Sequence, residues 1–267
     1  MSAPGWTAPV RSAPTSPADD LDRSTRTPRT AVVWAELRSL AGGPAEAPEA
    51  SAVLDVLDVG GGTGGFAVPL AVLGHRVTVV DPSPDALAAL QRRAGEAGVD
   101  VRAVQGDAAG LLDVVDRASA DLALCHGVLE HVDDPAEALA AVAAVLRPGG
   151  TLSLLVASRY AAVLARAVAG RFAEARTALA DPDGRWGPGD PLPRRFTEAG
   201  LAGLLAAAGL SVAAVHGVRT VSDLVPGTLV DGEPGAVDAL VDLEVATAAL
   251  PEFRALATQL HVRATRP

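Results

Sequence analysis

Apolar positions along the chain fall into two rhythms. Short, nearly continuous apolar runs recur at residues 53–59, 76–80, 101–104, 121–125 and 151–157, and the stretches between them carry apolar residues at helical spacing. A strand buried on both faces reads as such a run, and regular alternation with amphipathic helices predicts a parallel sheet covered by helices on both sides. A leading helix is predicted over residues 29–40, where Val32, Val33, Leu37 and Leu40 recur at roughly helical spacing ahead of the break at Gly42, Gly43 and Pro44. The helix that opens at Pro135 is predicted to stop at Arg147-Pro148-Gly149-Gly150, a basic last turn followed by glycine.

The alternation is interrupted after residue 157. A helical stretch to about residue 180 and a Pro-, Gly- and Asp-dense segment over residues 181–193 predict a helical lid inserted at about 158–196. A helix over residues 197–208, ended by Gly209, then leads to a strand at 210–218. Helical spacing returns at 236–249, Pro251 breaks it, and a last strand is predicted at 260–265. The last two strands are expected to pair as a hairpin-like antiparallel addition at one edge. The fold predicted is α/β, a doubly wound sheet of seven strands, mostly parallel with an antiparallel edge strand. Residues 1–28, with five prolines among Ser, Thr and Ala, hold too little large apolar surface to offset ordering entropy and read as a disordered tail; residues 29–267 read as one domain.

Composition narrows the chemistry. The chain has 267 residues, enough for one sizeable core. Its 22 basic residues are all arginine, which removes a P-loop NTPase and any Schiff-base enzyme built on lysine. Cys125 is the single cysteine, so a disulfide or a thiolate metal cluster within the chain is excluded and a reduced, cytoplasmic setting is the expectation. A net charge of −10 with 3% aromatics lacks the footprint of a general nucleic-acid binder, so an RNA partner requires a local basic face. No apolar run approaches the ~18 residues of a membrane span.

The chemistry-bearing motif is a glycine turn. Gly60, Gly62 and Gly65 satisfy G-x-G-x-x-G between the first strand and the next helix, where backbone amides face outward and a helix N-terminus accepts an anion. Asp81 closes the second strand, where a carboxylate accepts both hydroxyls of a ribose. The pattern is Rossmann-like and predicts a nucleoside-bearing cofactor; at this point a nicotinamide dinucleotide and S-adenosylmethionine both fit. Asp107, at the end of the third strand, is placed to accept from an adenine amino group, and it equally suits the N-cap of the next helix.

Further motifs separate the two cofactors. Asp58-Val59-Gly60-Gly61-Gly62-Thr63-Gly64, then His126-Gly127-Val128-Leu129-Glu130-His131-Val132-Asp133-Asp134-Pro135, then Leu146-Arg147-Pro148-Gly149-Gly150, in this order, resemble the class I S-adenosylmethionine-dependent methyltransferases. Arg29-Thr30-Ala31-Val32-Val33-Trp34, Leu124-Cys125-His126, Leu152-Ser153-Leu154-Leu155, Val168-Ala169-Gly170-Arg171-Phe172, Gly217-Val218-Arg219 and His261-Val262-Arg263-Ala264 narrow the resemblance to the bacterial tRNA methyltransferases that esterify wobble 5-carboxymethoxyuridine. The likeness implies that Arg29, Gly60, Gly61, Asp81, Ala108, Ala109 and His126 surround S-adenosylmethionine, which becomes S-adenosylhomocysteine on transfer. It departs on the substrate side, where the lid carries no lysine and Glu130 is followed by His131 rather than Trp.

Gly62 and Asp107 complete the expected cofactor set. Arg29 suits pairing with the methionyl carboxylate, and His126 is the candidate for a direct catalytic part, with cofactor contact the plainer role. His126, Glu130, His131, Asp133 and Asp134 resemble a metal cluster, yet acids ahead of Pro135 are explained as partners of a helix N-terminus, and no metal is expected. The lid window holds seven arginines against four acids. Among them Arg159, Arg171 and Arg195, with Tyr160, are candidate contacts for an anionic substrate, and a solvated helix face is the plain alternative. The reaction implied is methyl transfer to a carboxylate of a tRNA wobble uridine. A small-molecule carboxylic acid or hydroxyl compound is the alternative acceptor, and a cofactor-binding protein without activity is the contrasting class.

Overall fold

The computed structural model describes residues 27–42, 52–231 and 233–267. The expectation of a disordered tail lies outside the described residues up to residue 26. Thr27 and Pro28 are already in the turn that starts the first helix, with the amides of Thr30 and Ala31 donating to the Thr27 carbonyl.

The elements run α1 (Ala31–Ala41), β1 (Asp55–Val59), α2 (Ala67–Val72), β2 (Arg76–Asp81), α3 (Pro84–Glu96), β3 (Val101–Gln105), α4 (Leu111–Val114), β4 (Ala120–His126), α5 (Pro135–Val145), β5 (Leu146–Ala157), α6 (Arg159–Val168), α7 (Phe172–Ala180), α8 (Glu198–Ala207), β6 (Ser211–Val218), α9 (Gly227–Asp231), α10 (Ala236–Ala248), α11 (Pro251–Arg254) and β7 (Gln259–Thr265). Helix starts follow local chemistry. Ser83 accepts from Ala86 N ahead of Pro84, and Asp134 accepts from Ala136 N and Glu137 N ahead of Pro135. Each pairs a capping side chain with proline at the first helical position.

The sheet order is β3-β2-β1-β4-β5-β7-β6. β1 to β5 are mutually parallel, and β7 runs antiparallel to both β5 and β6. The antiparallel pair therefore stands at one end of the sheet, with β6 outermost. It is no hairpin, since α9, α10 and α11 intervene.

Two apolar cores fill the two faces. One joins Leu139 and Val142 of α5 with Leu201 and Leu205 of α8. The other joins Trp34 and Leu37 of α1 with Leu70 of α2, Leu90 of α3 and Ala248 of α10.

Two boundaries differ from the sequence reading. The helix before the Arg-Pro-Gly-Gly segment ends at Val145, and that segment already belongs to β5, bulged between the pairs Ala120–Leu146 and Leu122–Thr151. Its backbone is held from the other side, Gly149 N donating to Arg266 O and Arg266 N to Gly150 O. The lid contains two helices, turning at Gly170 with φ +72°. It leaves and rejoins the body at one point, where Phe196 N donates to Ala157 O and Arg159 N to Phe196 O.

Candidate active site

Strand order reverses between β1 and β4, and in open α/β sheets the crevice at the carboxyl ends of such strands is the binding position. A cleft of about 510 Å³ lies there, walled by Gly60, Asp81, Asp107, Ala108, Ala109, Val128 and the His131–Asp134 loop. Gly60 adopts φ +69°, and a Cβ on it would stand 2.4 Å from Val128 Cγ2. The turn and the loop after β4 approach each other only because no side chain intervenes.

Asp81 is 8% exposed. Its Oδ2 accepts from Gly62 N at 2.9 Å and its Oδ1 from Ser83 N at 2.9 Å. Two amides thus fix both carboxylate oxygens at the cleft wall, and each oxygen keeps a lone pair for a ligand hydroxyl. Asp107 stands on the rim and accepts from Gly110 N at 2.8 Å; the N-cap of α4 is Gly110, so the expected N-cap position of Asp107 is corrected. Ala108, buried, and Ala109, exposed, continue the wall.

Asp58 lies beneath the turn, and a Cβ on Gly61 would come within 2.6 Å of its carboxyl. Burial, and secondly the charge of Asp81, push the Asp58 carboxyl up to about 7. Its Oδ2 has no partner among the described residues.

His126 ends β4 just behind Gly127, outside the residues that wall the cleft. Its ring meets Phe66 edge-on at 4.8 Å, and Phe66 meets Trp34 at 5.1 Å. Its Nε2 is 2.9 Å from Ser153 Oγ. Burial pushes the imidazole down to about 3, so it is neutral at physiological pH and a weak base. Arg29 is exposed in the turn before α1 and does not wall the cleft.

The lid arginines are largely committed within the fold. Arg195 is buried and bidentate to Asp190, at 2.6 and 2.8 Å, with Gly184 O as a further acceptor; the structure assigns it to the lid's own packing and not to an exposed substrate contact. Arg159 donates to the carbonyls of Ala178 and Leu179 at the end of α7, for the same correction. Arg171 is exposed beside Glu174 at 3.2 Å, and Tyr160 is 52% exposed. Arg166 lies over the Trp186 ring at 4.6 Å.

Three arrangements were not anticipated from the sequence. Arg194 donates to Val132 O at 2.7 Å and to the carbonyls of Leu129 and Asp133, joining the lid to the cleft wall. Glu130, buried, accepts from Ala157 N at 2.6 Å, tying the same loop to the end of β5. Ser153 and His261 stand behind His126. Ser153, a lone polar residue between Leu152 and Leu154, leaves a signal in the sequence; Glu130 and Arg194, beside His131 and Arg195, leave none of that kind. Among the described residues no His, Cys, Asp and Glu cluster could hold a metal ion, and no helix is long and apolar enough to cross a membrane.

The cleft fits the adenosine end of S-adenosylmethionine. A turn without side chains, a fixed carboxylate for ribose hydroxyls and an apolar-lined rim with Asp107 are the donor and acceptor set such a group requires.

Comparison with known proteins agrees. The profile of a family described as a methyltransferase domain matches residues 57–154. The tRNA 5-carboxymethoxyuridine methyltransferase of Escherichia coli O157:H7 is 31% identical over 246 residues, covering 90% of this chain and 88% of that protein. The ubiquinone biosynthesis O-methyltransferase of Xanthomonas axonopodis pv. citri is 36% identical over 115 residues, which are 43% of this chain and 48% of that protein. A solved S-adenosylmethionine dependent methyltransferase from Mesorhizobium loti shares the fold, with TM-score 0.58 over 88% of this chain and 98% of that one at 20% identity. With the glycine turn, Asp81 and the cleft at the strand reversal in place, the chain belongs to the S-adenosylmethionine-dependent methyltransferases, in the family that includes the Escherichia coli tRNA 5-carboxymethoxyuridine enzyme.

Proposed function

We propose that this enzyme methylates the carboxylate of 5-carboxymethoxyuridine at the wobble position of tRNA, giving the methyl ester. The observation that carries the proposal is the extent of the likeness to the E. coli enzyme, which covers 90% of the chain, lid included. In the bound state S-adenosylmethionine supplies an electrophilic methyl group on a sulfonium and leaves as S-adenosylhomocysteine.

The chain's own groups divide the work. Asp81 holds the ribose, Asp107 and Ala108 frame the adenine, and Gly60, Gly61 and Gly62 admit the cofactor close to the backbone. Arg29, at the head of α1, is the residue proposed to neutralise the methionyl carboxylate. A carboxylate acceptor is already ionised at neutral pH, and the weakly basic His126 suits a reaction that needs no proton removed. Rate then comes from orientation and water exclusion. On the lid, Tyr160, Arg171, Phe172, Arg176 and Arg185 are exposed and make the basic, aromatic face proposed to meet RNA in the cytoplasm.

A second reading has a specific observation behind it. Arg159, Arg194 and Arg195 are spent on internal partners in a chain of net charge −10, which favours a small carboxylic acid over an extended polyanion. The deciding experiment is transfer of labelled methyl from S-adenosylmethionine to host tRNA and, in parallel, to the small-acid fraction, followed by nucleoside mass analysis. A base-labile ester on a wobble uridine is the expected product. Label confined to small acids overturns the tRNA reading and retains the cofactor site.

A further inference from the structure

Behind the cleft, polar side chains cross the sheet in one row. Strand register pairs His126 of β4 with Leu155 of β5, Leu155 with His261 of β7, and His261 with His216 of β6. Ser153 lies two residues before Leu155 and therefore on the same face. Its Oγ is 2.9 Å from His126 Nε2 and 2.8 Å from His261 Nε2. Ser153 and His261 are both fully buried; Phe66 meets the row at His126, and at its other end Glu36 lies 3.5 Å from both His216 Nε2 and Arg263 Nη1. Buried polar groups cost free energy unless bonded, so three of them in line in an apolar sheet ask for a reason.

Proton counting supplies one. Burial holds both imidazoles below their ordinary range, so each carries one ring N–H. Ser153 Oγ makes no other hydrogen bond among the described residues, and a hydroxyl has one proton. It donates to one ring and accepts from the other. The tautomers of His126 and His261 are thereby locked to each other: a proton on Nε2 of either requires the other to carry its proton on Nδ1. The Nδ1 atoms of both rings are buried without a partner among the described residues.

We infer that Ser153 and His261 are positioning residues for His126, coupling the proton position on its ring to that on His261 and holding the ring next to the cofactor. The inference rests on the proposed contact between His126 and the cofactor. His261 is itself backed by the His216 ring, stacked at 6.0 Å, so the far end of the relay is held in place as well.

Two measurements test it on the full chain. Nitrogen NMR of the histidine rings reads the tautomer of His126 without any ligand. Calorimetry with S-adenosylhomocysteine reads the consequence. Ser153→Ala and His261→Leu are expected to release the coupling, shifting the Nδ1–H to Nε2–H ratio of His126, and to weaken S-adenosylhomocysteine about three- to tenfold. His261→Gln, whose amide reaches the place of Nε2, is expected to recover most of that loss relative to His261→Leu. A packing role alone would lower thermal stability in these variants while leaving tautomer and affinity as in the parent, and that result overturns the inference. An altered His126 tautomer in Ser153→Ala, with affinity unchanged both there and in His126→Ala, overturns instead the contact on which it rests.

Discussion

Two carboxylates under the glycine turn have opposite assignments. Asp81 is held by two amides at the cleft wall, so Asp81→Ala removes the proposed ribose acceptor and frees Gly62 N and Ser83 N together. We expect S-adenosylhomocysteine affinity to fall at least about tenfold, as for loss of hydrogen bonds to a charged group, in calorimetry. Asp58 is the buried partner whose carboxyl is pushed from 3.8 up to about 7. The folded state holds that proton more tightly than the unfolded chain, so its effect on stability is favourable near pH 4 and is lost as pH rises through 7. Asp58→Asn should raise stability at pH 8 by about 4 kcal/mol and change little at pH 4, read from denaturant melts. Gly60 and Asp81 were legible in sequence because spacing along one chain segment fixes both. Arg159 and Arg195 were not, because the groups that absorb a guanidinium are backbone carbonyls and a folded-back Asp190, which leave no periodic mark.

At the scale of elements the lid is the least regular piece and the most dependent on one contact. Arg195 and Asp190 have side chains 8% and 0% exposed, and breaking a buried pair leaves an uncompensated charge. Arg195→Met should cost about 3 kcal/mol and speed proteolytic cleavage between residues 181 and 193. Arg194→Ala acts elsewhere, loosening the lid from the carbonyls of Leu129, Val132 and Asp133. Its expected signature is a raised KM for the methyl acceptor, with the melting temperature nearly unchanged. The inner strands β1 and β4 were legible because burial on both faces makes them mostly apolar. The boundary at Leu146 was not: Arg-Pro-Gly-Gly reads as a stop, while its strand assignment depends on Arg266, far along the chain.

For the whole molecule, pH sensitivity follows from its buried histidines. Burial holds His75, His126, His216 and His261 below their ordinary 6.5, so the unfolded chain takes up protons that the fold refuses. Stability is lost as pH falls below about 6.5. Asp58 and Glu130, raised by burial, act in the opposite sense but are fewer. The melting temperature should therefore be lower at pH 5 than at pH 7, and fall slightly from pH 7 to 8 as the Asp58 contribution is lost. That a parallel sheet with two helical layers would form was legible from alternation alone, whereas the place of β7 between β5 and β6 was not, since strand spacing says nothing about which edge a late strand enters.

That placement governs how the chain must be assembled during synthesis. β6 pairs in the sheet with β7 alone, and residues 219–258 separate them. While the nascent chain ends short of Gln259, β5 keeps an open edge and β6 has nothing to join. Closing the sheet waits for a long-range pairing, the slow kind, and until it occurs the exposed strand edges are the segment a chaperone would have to shield.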